Sequence, residues 1–344
     1  MLEAMKLSRL LWLFCPALSL YGNCEDPCKP LYFYNCDCIE VTPEAGPQVR
    51  RSWNLFTTAS FIYWTVREDG LIHAASGVSR NATEGSIHDL NWGMDAGFQV
   101  GLGLNIPHDG WDVFLEYTWI NANARDSVSK DRTTSDLVSY WSGNGIPNET
   151  LSFSKAVWDL HFKSLCLSLG RNSYLSQFFK MRIHAGLQGA WINQDYEVTQ
   201  TVAFNRSTNR LSLKQDFWGM GLRAGLDTAW QFNHNFSLFA DFALAILWGQ
   251  FEVSRRDRNI RNDVDTTNLF ISGQPHTFEP TLALDAGLRW EMWFSDDRFH
   301  ILLQAGWDNQ MWVLQNEFIK VPTETDHIGD LVLQGLTIKA RFDF

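Results

Sequence analysis

The chain has 344 residues, is 45% hydrophobic and carries a formal net charge of −11. That acidic balance, with no Lys/Arg-rich run, argues against nucleic acid as a partner. No uncharged apolar run of about 18 residues lies beyond the N-terminus, so the sequence contains no helical membrane span there. Aromatic content is the anomaly: 16 Trp and 24 Phe accompany 24 Gly. Tryptophan in that amount needs surroundings that are apolar at one edge and wet at the other, as at a membrane interface.

Residues 1–22 read as a secretory signal peptide. Lys6 and Arg9 supply the positive region, "LLWLFCPALSL" (10–20) is apolar but too short to span, and Ala17 and Ser19 precede a cleavage point after Ser19 or Gly22. Residues 23–52 form a Cys-rich arm in which Cys24, Cys28, Cys36 and Cys38 crowd into "CEDPCKPLYFYNCDC". In an exported chain these read as disulfides, within the arm or to another copy or another envelope protein. The spacing C-x3-C-x7-C-x-C suits a four-thiolate metal site poorly. No metal or other cofactor is expected.

From residue 53 to 344 a period of two recurs in segment after segment, the mark of strands with two unlike faces. In "WGMDAGFQVGLGL" (92–104), Trp92, Met94, Phe98, Val100, Leu102 and Leu104 oppose Asp95, Gln99 and four glycines. The same contrast holds over 111–119, 180–191, 218–230, 236–249, 282–292, 301–310 and 331–344. Between 157 and 170 the alternation changes phase after Lys163, which suggests a bulge. Trp218 and Trp230 share a face twelve residues apart, which projects to roughly 28 Å along a tilted strand. An outer-membrane barrel carries an apolar band of about that height between aromatic girdles. A soluble sandwich would not put Gly, Asp and Arg on the opposite face of every strand.

The expected fold is therefore all-β: a transmembrane antiparallel up-and-down barrel, with short turns at the periplasmic end and long loops outside. Ten long strands satisfy the pattern. The stretch 68–90 adds a further hairpin in the reading we adopt, for twelve strands with ten as the alternative. Trp92, Trp111, Trp119, Trp191, Trp218, Trp230, Trp248 and Trp290 are the expected aromatic girdle residues, facing outer-membrane lipid. The expected pore lining is Asp95, Glu116, Asp159, Lys163, Arg182, His184, Arg223, Asp227, Asp241, Asp285, Arg289, Glu291, Asp308, Lys339 and Arg341, with Asp343 on the same face. Nine acids against six bases on these faces point to weak cation preference.

His161 and His184 also fall on this face. No serine stands beside either in a nucleophile setting, so no enzymatic activity is expected.

"GFQVGLGL", "GWDVFLEYTW", "VWDLHFKSL" and "KMRIHAGLQGAWINQDYEV", with "FIYWTVREDGLIHA" before them, resemble the Legionella-type pore-forming major outer membrane protein family, which also occurs in Chlamydia-related bacteria. The resemblance covers residues 53–344. It implies a porin-like barrel in the outer membrane of a Gram-negative bacterium. The clustered cysteines resemble, more loosely, those of cross-linked chlamydial envelopes. The alternating final strand ending at Phe344 resembles the signature by which barrel-assembly machinery recognises its clients. Passive diffusion of ions and small polar solutes is the expected function. The rival is a disulfide-linked structural or adhesive envelope barrel with a blocked lumen.

Overall fold

The computed structural model describes residues 45–47, 49 and 54–344, apart from 78–83, 108, 131–135, 142–149, 205–206, 263, 297 and 322–328. The signal peptide and the four clustered cysteines lie outside these residues, as does all but 45–47 and 49 of the arm.

Among the described residues there are fifteen strands in one sheet. They are β1 (Leu55–Glu68), β2 (Ala74–Ser76), β3 (Ser86–His88), β4 (Asn91–Trp92), β5 (Met94–Asn105), β6 (Trp111–Ser129), β7 (Leu137–Ser139) and β8 (Thr150–Ser176). There follow β9 (Phe179–Val202), β10 (Thr208–Gln231), β11 (Phe236–Arg261), β12 (Val264–Gly273), β13 (His276–Phe294), β14 (Phe299–Trp312) and β15 (Leu331–Asp343).

Ten of them close a ring. The order β8-β9-β10-β11-β13-β14-β15-β1-β5-β6 returns to β8 through the β6–β8 pairing, antiparallel throughout. Closure leaves no edge, the condition for a sheet in lipid. Fifteen strands exceed the twelve expected, and the ring has fewer. Among its described residues the stretch 68–90 supplies only the short β2 and β3; these pair with each other, and β2 also pairs with β7. Four tight turns, between β5 and β6, β8 and β9, β10 and β11, and β13 and β14, mark the periplasmic end. "GRNSYLSQ" is not one of them; β8 runs on to Ser176.

The outer face is apolar only over a band. Its upper limit is a row that crosses four strands in register: Trp119 (β6), Lys163 (β8), Trp191 (β9) and Trp218 (β10). One outward step higher the row reads Asn121, His161, Asn193, Asp216 and Glu252. The inward row between them reads Ile120, Phe162, Ile192, Phe217 and Phe251, all buried. Within the band the wall is apolar outside and polar inside. Above it the two faces exchange, as in a water-soluble barrel.

This exchange corrects three assignments. Asp159, His161 and Lys163 point outward, not into the lumen, while Trp158, Leu160 and Phe162 point in. No bulge follows Lys163; β8 shifts register only at Leu151/Phe153 and Tyr174/Ser176. The apparent change of phase arises because one unbroken face of the strand passes from water into lipid. Trp92 is a fourth correction. The strand breaks at Gly93, and the indole meets Trp158 edge-on at 5.3 Å instead of facing lipid. Trp111, Trp119, Trp191, Trp218, Trp230, Trp248 and Trp290 lie on the outward face.

Candidate functional site: the barrel lumen

The lumen has two storeys. In the upper one, inward side chains of the long strands meet in a largely apolar septum, which also buries Glu68 beside Gln194 and the Arg255–Asp257 pair beside Trp141. Trp64, Trp158, Phe162, Tyr196, Phe217, Phe251 and Trp312 are among its fully buried members. Segments between strands complete it: Leu71, Leu90, Trp141 and Phe318 pack into the same cluster. Folding loops into a dry interior strands their backbone groups unless side chains meet them. Here Tyr196 Oη donates to Leu71 O (2.7 Å), Trp141 Nε1 to Ile72 O (2.9 Å) and Gln215 Nε2 to Gln315 O (2.6 Å). Gln215 Oε1 also accepts from Glu317 N at 2.8 Å.

In the lower storey charge replaces apolar packing, and a vestibule of about 330 Å³ lies at the periplasmic end. Arg182 (β9) reaches past β8 to Asp112 (β6), its Nε 2.8 Å from Oδ2, and also holds Asp227 (β10) at 2.8 Å. The reach requires Gly170, where a Cβ would collide with the guanidinium. His184 Nε2 lies 3.2 Å from Asp227. Lys339 (β15) holds Glu116 (β6) at 3.0 Å, three strands away around the ring. Arg341 and His300 both hold Asp343, at 2.6 and 2.8 Å, and Lys180 holds Glu291 at 3.3 Å.

One row is unbalanced. Asp227, Asp241, Asp285 and Asp308 stand opposite one another in register on β10, β11, β13 and β14. Only Asp227 of the four holds a described base, and both Asp241 and Asp285 have a buried Oδ1 without a partner. Glu116, Arg182, His184, Arg223, Asp227, Asp241, Asp285, Arg289, Glu291, Asp308, Lys339 and Arg341 thus all face the lumen. Asp95 shares the register of inward Trp64, at the irregular stretch where β5 leaves β6. Asp112 and Lys180 join the lining in place of Asp159 and Lys163, so nine acids and six bases remain. Cys166 is a free thiol on the lumen face.

A second polar cluster lies near the outer rim. His73, in the segment after β1, sits between Ser154 Oγ (2.8 Å from Nδ1) and Asp126 Oδ2 (3.0 Å from Nε2). Nothing in the sequence brings these three together. His73 and Ser154 are fully buried, and Ser154 borders none of the described cavities. The trio latches the inward-folded segment to β6 and β8.

The model of the family described as "Legionella pneumophila major outer membrane protein precursor" matches residues 45–344. The chain belongs to this family. It is an outer-membrane protein, and the ring, the lipid-facing band and the aromatic rows are the physical form of that address. No curated protein matches it. Among solved structures it is similar to a major outer membrane protein from Thermus thermophilus, at 14% identity and TM-score 0.27, over 83% of this chain and 99% of that one. It is also similar to the CymD monoaromatic hydrocarbon channel, at 11% identity and TM-score 0.32, over 89% and 95% of the two chains. The P. putida toluene transporter TodX follows at 10% identity and TM-score 0.30, over 84% and 89%. At these scores none of the three likenesses bears on cargo.

Proposed function

We propose that this outer-membrane barrel is a gated channel for ions and small polar solutes, with weak preference for cations. The observation that carries the reading is the row of four aspartates in register on the lumen face, of which Asp227 and Asp241 line the vestibule, because rings and ladders of one charge set ion preference in pores. The septum is the gate, and apolar constrictions close a pore by dewetting it. Opening needs the loop anchors Leu71, Leu90 and Phe318 to leave the septum. At about 1.5–3 kcal/mol for each buried apolar side chain, that costs about 5–9 kcal/mol. The resting open fraction is then below about one in a thousand.

The septum also favours a second reading, a structural envelope barrel that never conducts. Single-channel recording of the refolded chain in a planar bilayer separates the two. Rare discrete openings whose reversal potential shifts toward that for cations, and loses the shift in Asp241→Asn/Asp285→Asn, support the channel. Silence from a folded barrel, under voltage and across pH, supports the structural reading.

A further inference from the structure

Most charges lining the vestibule are matched: Arg182, Lys180, Lys339 and Arg341 each hold a carboxylate within 3.3 Å. Two are not. The Asp241 side chain has no hydrogen bond or ion pair to any described residue, and its Oδ1 is buried without a partner. Arg289 has a buried Nε without a partner. Its ion-pair contact is Glu291 at 3.9 Å, a carboxylate that already accepts from Lys180 at 3.3 Å. Both residues line the same cavity.

They stand on adjacent strands. Asp241 is opposite Asp285, and Arg289 is opposite Ser237, four residues nearer the periplasm. At about 3.4 Å per residue their Cα atoms lie about 14 Å apart. Both side chains line the cavity, and a small molecule with opposite charges at its two ends can lie in it against the two of them. Arg289 is backed by the Phe239 ring at 5.4 Å, which fixes where its guanidinium lies. His300 Nε2, also buried without a partner, adds a further polar atom to the same cavity.

A buried polar group left unmatched is expensive, and more so when charged. A simple anion would satisfy Arg289 and leave Asp241; a simple cation would do the reverse; a neutral polyol matches neither charge. A cavity of about 330 Å³ also has room for more than a bare ion, since liquid water takes about 30 Å³ per molecule. We infer that the vestibule is a binding site for small zwitterions of the α-amino-acid class, the carboxylate on Arg289 and the ammonium on Asp241. This names a solute class for the channel proposed above and rests on that reading for transport; the binding itself does not need conduction.

The test is isothermal titration of the full chain in detergent with glycine, acetate, methylammonium and glycerol. Glycine should bind saturably, with acetate and methylammonium each at least about tenfold weaker, the discrimination expected when one charged partner is missing. Asp241→Asn and Arg289→Gln should each weaken glycine about tenfold or more, while Asp241→Glu keeps most of it. Heat-dependent gel mobility verifies that every variant is a folded barrel. Glycine binding no tighter than acetate, or unaffected by either neutralising substitution, overturns the site. Glycine binding by a barrel that stays silent in bilayers upholds the site and removes the channel. Conduction without glycine binding does the opposite.

Discussion

Trp158→Ala is the sharpest perturbation of the septum. Trp158 is fully buried, donates its indole N–H to Gln194 Oε1 at 3.0 Å, and packs against Trp92. A tryptophan buries about 150–250 Å², which at about 25 cal/mol per Å² is about 4–6 kcal/mol. That is an upper figure, since the unfolded chain hides some of the same area. Large-to-small changes of Phe or Trp in cores cost about 3–5 kcal/mol, and the orphaned Gln194 acceptor pushes toward the upper end. Urea titration in lipid vesicles should therefore show a loss of about 3–5 kcal/mol with an unchanged denaturant slope. The outward neighbour supplies the control, because Asp159→Ala should stay within about 0.5 kcal/mol. The void beside Trp92 should also admit water and raise the leak current of the variant. If Trp158→Ala costs no more than Asp159→Ala, the interior is not packed as described and the septum argument fails.

Three further outcomes follow from other levels of the structure. Leu222, outward in mid-band and 73% exposed, faces lipid; Leu222→Arg should cost about 2–4 kcal/mol in vesicle unfolding, and a neutral result would remove the band. Arg182→Gln leaves Asp112 and Asp227 without their shared base, so a loss of about 3–5 kcal/mol is expected. Restoring most of it with Asp112→Asn in the same chain checks that the cost is unpaired charge. His73 lies outside the spanning strands, and burial lowers its pKa from the usual 6.5 against the opposing pull of Asp126. The released segment then binds the proton more readily than the latched one, so the latch is fully stable above about pH 6.5 and weakens as pH falls below it. Amide exchange over 69–76, corrected for intrinsic rates, should speed up at acid pH and lose that dependence in His73→Asn. Equal pH dependence in both chains would exclude His73 as the titrating group.

The membrane band was legible because one solvent lay on each side of it. Along β10 and β11 the apolar phase faces lipid and the Gly, Arg and Asp phase faces the lumen, so alternation alone puts Arg223, Asp227 and Asp241 on the face where the structure has them. Above the Trp row the same alternation continues with the faces exchanged. Period does not say which face is which, and it puts Asp159, His161 and Lys163 inside for that reason. The extra hairpin expected from 68–90 failed on a related point. Leu71 and Leu90 are apolar because they enter the septum, not because they span lipid. Pairs such as Arg182–Asp112 and Lys339–Glu116 join strands that are not neighbours. They depend on ring closure and on glycines such as Gly170, and periodicity holds no trace of them. His73, Ser154 and Asp126 meet only through the fold.

The central claim is that the wall exchanges its faces above the Trp row and encloses a packed septum there. Single cysteines at Leu160 and His161, each in a chain whose other cysteines are replaced by serine, test it in one measurement. An impermeant maleimide applied to intact cells should label His161→Cys rapidly, because that side chain points outward above the band. Leu160→Cys, adjacent in sequence and fully buried in the septum, should remain unlabelled until the barrel is unfolded. Labelling of both at similar rates, or of Leu160→Cys alone, would contradict the account.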